Sequence, residues 1–355
     1  MFKLLLLFYF FRRISFSKIK ETVSEFIQPS KTFNRSRFWT LISGLTVFEI
    51  FLMYMLWNVW YKQNKIGVFH FFDDSKEWMQ MDKGGHIITA YSEARYSATL
   101  MRWSGLSRMK SALIGFVVGS WYQLTLEFLD GFADKWGFSV SDIAANTTGA
   151  TFFLAQEKIW QEQRILIKVS NTAVNYPDLS VLSDNGTNET MTLKERVQLL
   201  YGNDYTTAIK DYNAINYWLS FNIKSLLPKN AKENLRGENS DTTKMLDNPD
   251  IVSKLSKLPD WLNIAIGYGA ENMYGGFENK WMKENEKMLN STFHLNDKDF
   301  PRYRQYYISF DVDWNRIKTD NLYHKTLATI FNSIKVPSPT LEISEQGVRW
   351  HWLFF

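Results

Sequence analysis

The alternation of apolar and polar positions changes period partway along the chain. Residues 39–60 run almost uninterrupted in apolar side chains, with Glu49 the one charge inside. Their length matches the ~20 residues that a helix needs to cross a bilayer. Trp39, Trp57, Trp60 and Tyr61 stand at its ends, where aromatic rings favour the water–lipid boundary. The pattern predicts a membrane-spanning helix, with a long buried core helix as the alternative. A moderately apolar helix is expected from residue 83 to about 103, a strongly apolar one over 111–129, and a third from 142 to about 163. Ser139 or Ser141 is placed to cap the third.

Beyond about residue 170 the pattern becomes alternating and rich in β-formers, in 215–226, 261–269, 303–314 and 340–355. In YRQYYISFDVDW, aromatic and polar residues interleave, which gives a strand one wet and one dry face. Residues 177–210 read as polar loop, and 229–258 and 276–300 as charged surface insertions. The expected fold class is α+β: a small bundle of apolar, membrane-associated helices, then a strand-containing region that forms a small sheet or half-barrel. Too few strands are visible to close a transmembrane barrel of eight. The expected organisation is a basic lead-in (1–38), a helical membrane domain (39–168) and a strand-containing region with polar insertions (169–355).

Composition sharpens this picture. The chain has 355 residues, 45% of them hydrophobic and 16% aromatic, with fourteen Trp. That suits membrane interfaces or β-rich surfaces. The net charge is only +4 and no long basic run occurs, so no nucleic-acid partner is expected. There is no cysteine, which excludes disulfides, thiolate metal sites, a Cys nucleophile and a lipidated Cys. Residues 4–11, LLLLFYFF, are apolar but short, and Arg12 and Arg13 follow without a small-residue cleavage site, so they make a poor signal peptide.

Three polar clusters interrupt the apolar helices. Asp82, Lys83 and His86 open one of them, with Asp82 and His86 four apart on one face. Glu127 and Asp130 end the second, and Asp142 and Asn146 share a face of the third, beside the small residues Ala145 and Gly149. Charged groups near a bilayer are costly unless paired, so their presence points to function. Each also has a plain structural alternative: Asp82 and Ser139 as helix caps, and Lys83 as the ion-pair partner of Glu127 or Asp130.

The order D-K-x-x-H, a Glu ending an apolar helix, then S-x-x-D-x-x-x-N-x-x-G resembles the VanZ-like group of small membrane proteins. With FHFFDD, QMDK-x-GH, E-x-x-DG, WGFS and D-x-x-AN-x-x-G over residues ~39–165, the chain is similar to an uncharacterised family of predicted Gram-negative envelope proteins. The stretches KDYN, YWLS, PDWLNIAIGYGAENM and RYRQYYISFDVD look like its longer members. Shorter members are described as predicted periplasmic lipoproteins. Their anchoring Cys is absent here, so the resemblance implies that the helices do the anchoring. It implies no particular reaction.

Three roles follow as expectations. The first is a subunit or assembly component of an envelope complex, with membrane lipid and other envelope proteins as partners. The second is a membrane-embedded enzyme acting on a lipid-linked or cell-wall substrate. There His86 would be general base or nucleophile, Asp82 or Glu127 would orient it, and Lys83 would receive an anionic headgroup. The third is an ion site built from His86, Asp82, Glu127, Asp130 and Asp142. No cofactor is expected, because no phosphate loop, nucleophile elbow or dinucleotide fingerprint occurs. The spanning helix favours the inner membrane. The strand-rich half, the terminal Phe355 and the resemblance favour the outer one, which is slightly preferred.

Overall fold

The computed structural model describes residues 26, 28–58, 66–202, 207–226, 255, 257–284 and 290–355. The apolar stretch 4–11, the basic positions 12–25, the far end of the 39–60 segment and most of the 229–258 insertion lie outside these.

Helix α1, Arg35–Leu56, starts where the Asn34 side chain accepts the Arg37 backbone N–H at 3.0 Å. None of its residues is buried, although it is apolar enough to cross a membrane. Helices α2 (Met81–Trp103), α3 (Arg108–Asp130) and α4 (Val140–Ile159) form a bundle. Small residues set their spacing: a Cβ on Gly115 would lie 2.2 Å from the Ala94 carbonyl oxygen, and one on Gly149 would lie 2.1 Å from that of Ile87. Ala90, Tyr91, Ala94, Ala98, Ala112, Ala150 and Phe153 fill the core, and Ile167 joins them from the sheet.

The second half is built on a six-stranded antiparallel sheet. Its strands are β1 (Ile165–Asn171), β4 (Ile215–Asn222), β5 (Leu262–Glu271), β8 (Tyr303–Val312), β9 (Ser338–Ser344) and β10 (Gly347–Phe354), in the spatial order β1-β4-β5-β8-β9-β10. Two ribbons, β2 (Ser180–Leu182) with β3 (Thr190–Thr192) and β6 (Lys280–Glu284) with β7 (Asn290–His294), flank it. With α5 (Leu193–Tyr201) they enclose a second core containing Met191, Leu193, Tyr201, Tyr274 and Phe293. Short helices α6 (Thr207–Lys210) and α7 (Ile223–Leu226), the longer α8 (Leu322–Phe331) and two 3-10 turns, Glu77–Gln80 and Trp314–Arg316, complete the described elements.

The fold is α+β as expected, and the sheet is open rather than a closed barrel. It is nevertheless curled. Flat, β4 and β10 would stand four strand spacings apart, about 19 Å. Yet Trp218 of β4 and Phe354 of β10 have ring centroids 6.3 Å apart, with Tyr307 between them at 5.4 and 4.7 Å. Next to the strands, Thr172 Oγ1 donates to the Phe355 carbonyl at 2.8 Å.

Several expectations need correcting. The third helix ends at Ile159 rather than near 163, because Gln156 turns to bond the start of β1, accepting the Arg164 and Ile165 N–H groups at 3.0 and 2.9 Å. The polar loop 177–210 holds two strands and α5, whose start carries a reciprocal Thr192–Glu195 capping box. The insertion 276–300 holds the β6–β7 ribbon, where Trp281 stacks on Phe293 at 5.6 Å. Residues 340–355 belong to two strands, paired as a hairpin.

Helices and sheet meet along α2. Met81 packs with Ile215, Ala270 and Met273, and Tyr217 lies against Gly84, where a Cβ would approach its ring to 2.4 Å. Bulk at residue 84 is therefore excluded, and the first turn of α2 sits directly on β4.

Candidate functional site

The first turn of α2 is delivered by unusual backbone. Trp78, Met79 and Gln80 have φ values of 48°, 52° and 65°, three consecutive non-glycine residues in the left-handed region. Each such residue costs roughly 1–2 kcal/mol and persists only where the surroundings impose it. Here the Trp78 N–H donates to the Gly276 carbonyl at 2.7 Å, Tyr268 OH donates to the Met79 carbonyl, and Arg304 Nη2 donates to Gln80 Oε1 at 2.8 Å. All three clamps come from the strand-containing half.

From this turn, Lys83 reaches into a ring of carboxylates. Its Nζ lies 2.7 Å from Asp74 Oδ1, 3.0 Å from Asp82 Oδ2 and 2.5 Å from Asp142 Oδ1. The expected pairing of Lys83 with Glu127 or Asp130 is thus replaced by a three-carboxylate pairing, and the ammonium is already engaged rather than offered to an anionic headgroup. Asp74 is held further by Ser139 and Ser141 hydroxyls, each donating at 2.6 Å. Ser139 also caps α4, accepting the Asp142 N–H at 3.0 Å. Tyr212 OH donates to Asp82 Oδ1 at 2.7 Å, bringing the sheet side to the cluster.

His86 is one turn deeper. Its Nε2 lies 3.4 Å from Asp142 Oδ1 and 3.8 Å from Asp82 Oδ2. Its Nδ1 faces Asn146 Oδ1 at 3.1 Å and Glu127 Oε1 at 3.8 Å. The Glu127 side chain is 1% exposed, whereas those of His86 and Asp82 keep 19% and 21%. The cluster therefore opens to solvent on the His86–Asp82 side and is closed behind by Glu127.

The electrostatics follow from this geometry. Burial works against the His86 imidazolium, but the charges of Asp82, Asp142 and Glu127 outweigh it and raise the His86 pKa above its ordinary 6.5. Lys83 is likewise raised against burial by its carboxylates. Burial and the neighbouring Asp82 charge push Asp142 up to about 7. Burial would also raise Asp74, yet its bonds to Asp142, Lys83, Ser139 and Ser141 pull it down to about 2. Glu77, buried beside Asp82 and Asp74, is pushed up to about 7. The site thus holds an imidazole whose protonated form its neighbours favour, next to a carboxyl that titrates near neutrality, which is the equipment for moving a proton.

Of the seven residues singled out by sequence, Asp82, Lys83, His86, Glu127, Asp142 and Asn146 converge. Asp130 does not join them: its carboxylate accepts the Trp136 indole N–H at 2.6 Å in the turn after α3. Asp74, Ser139 and Tyr212 are the additions. The adjacent acids Asp73-Asp74 and the S-x-S-D run carried a signal that could have linked Asp74 to the α4 cap; Tyr212 lies in a loop whose position only the sheet defines.

Asp82, His86 and Asp142 bring ligand atoms within 4.8 Å of one another, the spacing that a cation could use. Lys83 Nζ, however, already bonds both Asp82 Oδ2 and Asp142 Oδ1. The positive charge between these carboxylates is supplied by the protein's own ammonium, so the donor set fits a divalent ion poorly.

Residues 70–156 match the model of the family described as Predicted periplasmic lipoprotein (DUF2279). That stretch contains Asp74, all six converging residues and the α3 and α4 positions of the cluster, while Tyr212 and the sheet lie outside it. No curated protein and no solved structure matches the chain. The match supports an uncharacterised family of envelope proteins and a location in the cell envelope.

Proposed function

We propose that this envelope protein is held at a membrane through α1 and carries, where helices meet sheet, an acid–base centre that acts on a lipid-linked or cell-wall substrate. The outer membrane is the preferred location, and kinship with the VanZ-like group, resting on the D-K-x-x-H and later motifs, belongs to the same proposal. The observation that carries the reading is a pair of buried atoms beside His86. Glu127 Oε1 and Asn146 Nδ2 have no hydrogen-bond partner among the described residues. An unsatisfied buried polar group costs roughly 1–3 kcal/mol, so a bound group that donates to one and accepts from the other would recover it.

In this reading His86, whose protonated form the surrounding carboxylates favour, gives up its proton as a general acid. Asp82 and Asp142 hold it through Nε2, and Asn146 Oδ1 fixes Nδ1. Asp142, titrating near 7, takes part in the return of the proton. Lys83 keeps three carboxylates from repelling one another and stays off the substrate. The test is a strain carrying His86→Gln in place of the native protein. Lipid and peptidoglycan fragments are compared by mass spectrometry after protein level and melting temperature are shown to be unchanged. An altered fragment or lipid profile is expected; an unchanged one from a stable variant would overturn the reading.

A second reading rests on Tyr212–Asp82 and Tyr217–Gly84, which lock the bundle to the sheet. Here the polar cluster is a joint, and the protein is an assembly component whose surfaces bind other envelope proteins. Under it, His86→Gln lowers stability or disrupts co-purifying partners without changing lipid or cell-wall chemistry.

A further inference from the structure

The sheet carries its polarity the wrong way round for a protein in water. On β8 the buried residues include Gln305, Ser309 and Asp311, at 3%, 5% and 1% exposure, while Tyr306, Ile308 and Phe310 are 53%, 49% and 52% exposed. On β5, Asn263 and Ala265 are fully buried and Ile264 and Ile266 are exposed. The register shows that this is a property of whole faces. Leu219, Ile266, Ile308, Leu341 and Trp350 form one row across five strands, and Tyr217, Tyr268, Tyr306, Ile343 and Val348 form the next. The opposite face carries Lys168, Ser220, Asn263, Asp311, Thr340 and Glu342, all buried. They satisfy one another: Lys168 Nζ pairs with Asp311 Oδ2 at 2.8 Å, Ser220 Oγ donates to the same oxygen at 2.6 Å, and Asn263 Nδ2 donates to Ser220 Oγ at 2.9 Å.

The curl described above wraps the polar face inward around Trp218, Tyr307 and Phe354. The apolar face is therefore convex. The helices and the 78–80 turn cover its β1–β4 side: Ile167 and Val169 pack against the bundle, Ile215 packs on Met81, Tyr217 lies against Gly84 of α2, and Tyr268 OH bonds the Met79 carbonyl. Strands with apolar residues outward and polar residues inward are the pattern of a sheet facing lipid. A convex surface matches a fluid apolar phase better than it matches a flat partner sheet.

We infer that the convex face of β5, β8, β9 and β10, beyond the part of the sheet that α2 covers, lies against a lipid bilayer as a surface contact, independent of α1 and of the chemistry at His86. Depth is limited by backbone. An open sheet edge does not tolerate the hydrocarbon core, and β10 is the edge strand opposite β1. The crest, β5 with β8, carries Ile264, Ile266, Ile308 and Phe310 and enters deepest. The β10 margin carries Trp350 and Trp352, 53% and 77% exposed, at the level where indole favours the interface.

The absence of cysteine makes the test direct. Ile308→Cys and, separately, Ile266→Cys in the full chain give unique sites for a fluorescent label, with the exposed Lys194→Cys as the aqueous reference. The proteins are reconstituted in phosphatidylethanolamine–phosphatidylglycerol vesicles and quenched with iodide from water or with bromine on the acyl chains. At both face positions, iodide quenching is expected to fall several-fold below that at residue 194, with strong quenching by brominated chains. Iodide access equal to that at residue 194 would overturn the inference. So would shielding from both quenchers, which would mean that protein, such as a second copy of the chain, covers the face. Two positions guard against one label perturbing the strand, and unchanged circular dichroism verifies the fold.

Discussion

Lys83 Nζ lies 2.5 Å from Asp142 Oδ1, so the first turn of α2 is bolted to the first turn of α4 through an ion pair whose side chains are 11% and 6% exposed. The same ammonium holds Asp74 and Asp82, and its loss would leave three crowded carboxylates. Removing one partner of a buried pair costs roughly 3–5 kcal/mol. Lys83→Met is expected to destabilise the protein by about that amount in chemical denaturation followed by circular dichroism. A change below about 1 kcal/mol, the ordinary value of an exposed pair, would show that the cluster is solvated rather than buried.

The His86 imidazole is expected to titrate above 6.5, because its carboxylates outweigh burial. The folded value is raised, so its contribution to stability is fully present below the unfolded value of about 6.5 and is lost as pH rises through the folded one. Nuclear magnetic resonance titration of the ring reads the value directly. Asp82→Asn removes the charge that raises it most and should lower it.

Asp74 has the opposite sign. Its carboxyl is pulled from 3.8 to about 2, so its contribution is present above pH 3.8 and disappears as pH falls toward 2. Asp74→Asn should flatten the acid limb of the stability–pH curve in that window while lowering stability at neutral pH. An acid limb identical to that of the native protein would contradict the assigned partners, Ser139, Ser141 and Lys83.

Tyr212→Phe removes one hydrogen bond, to Asp82 Oδ1, and should cost roughly 0.5–1.5 kcal/mol. Gly149→Ala is expected to cost more, roughly 1–3 kcal/mol, because the new Cβ meets the Ile87 backbone carbonyl, which cannot swing aside as a side chain can. Thermal melts of the two variants would reverse this order if the helix–sheet joint, rather than helix spacing, dominates stability.

If Lys83 is the cation of the cluster, exhaustive chelation should leave the melting temperature and the His86 titration unchanged. A drop on chelation, restored by one divalent metal, would assign Asp82, His86 and Asp142 to that ion instead.

Much of the site was legible because helix periodicity fixes which residues share a face. Asp82 with His86, and Asp142 with Asn146, could be paired from their spacing alone. The partner of Lys83 was not, since Glu127, Asp130 and Asp74 were equally available by charge, and only the path of the chain through 66–80 brings Asp74 in. The strands show the same limit. The alternation in YRQYYISFDVDW establishes two unlike faces, but period two does not say which one turns inward. That depends on Trp218, Tyr307 and Phe354 meeting across the curl. The ribbons β2–β3 and β6–β7 escaped because they are short, and their hydrophobic partners are distant in sequence.

The left-handed turn at 78–80 also sets an order of events during synthesis. Residues 74–86 leave the ribosome early, whereas Gly276, Tyr268 and Arg304, which hold the turn, follow about two hundred residues later. Until β5 and β8 have formed, nothing compels Trp78, Met79 and Gln80 to stay where ordinary backbone would not go. The three-helix bundle can assemble first, but the turn that delivers Lys83 and His86 is held only when β5 and β8 close over it. A chain that ends before β8 would thus present the helices without a finished polar centre, and docking of β5 and β8 arms the site.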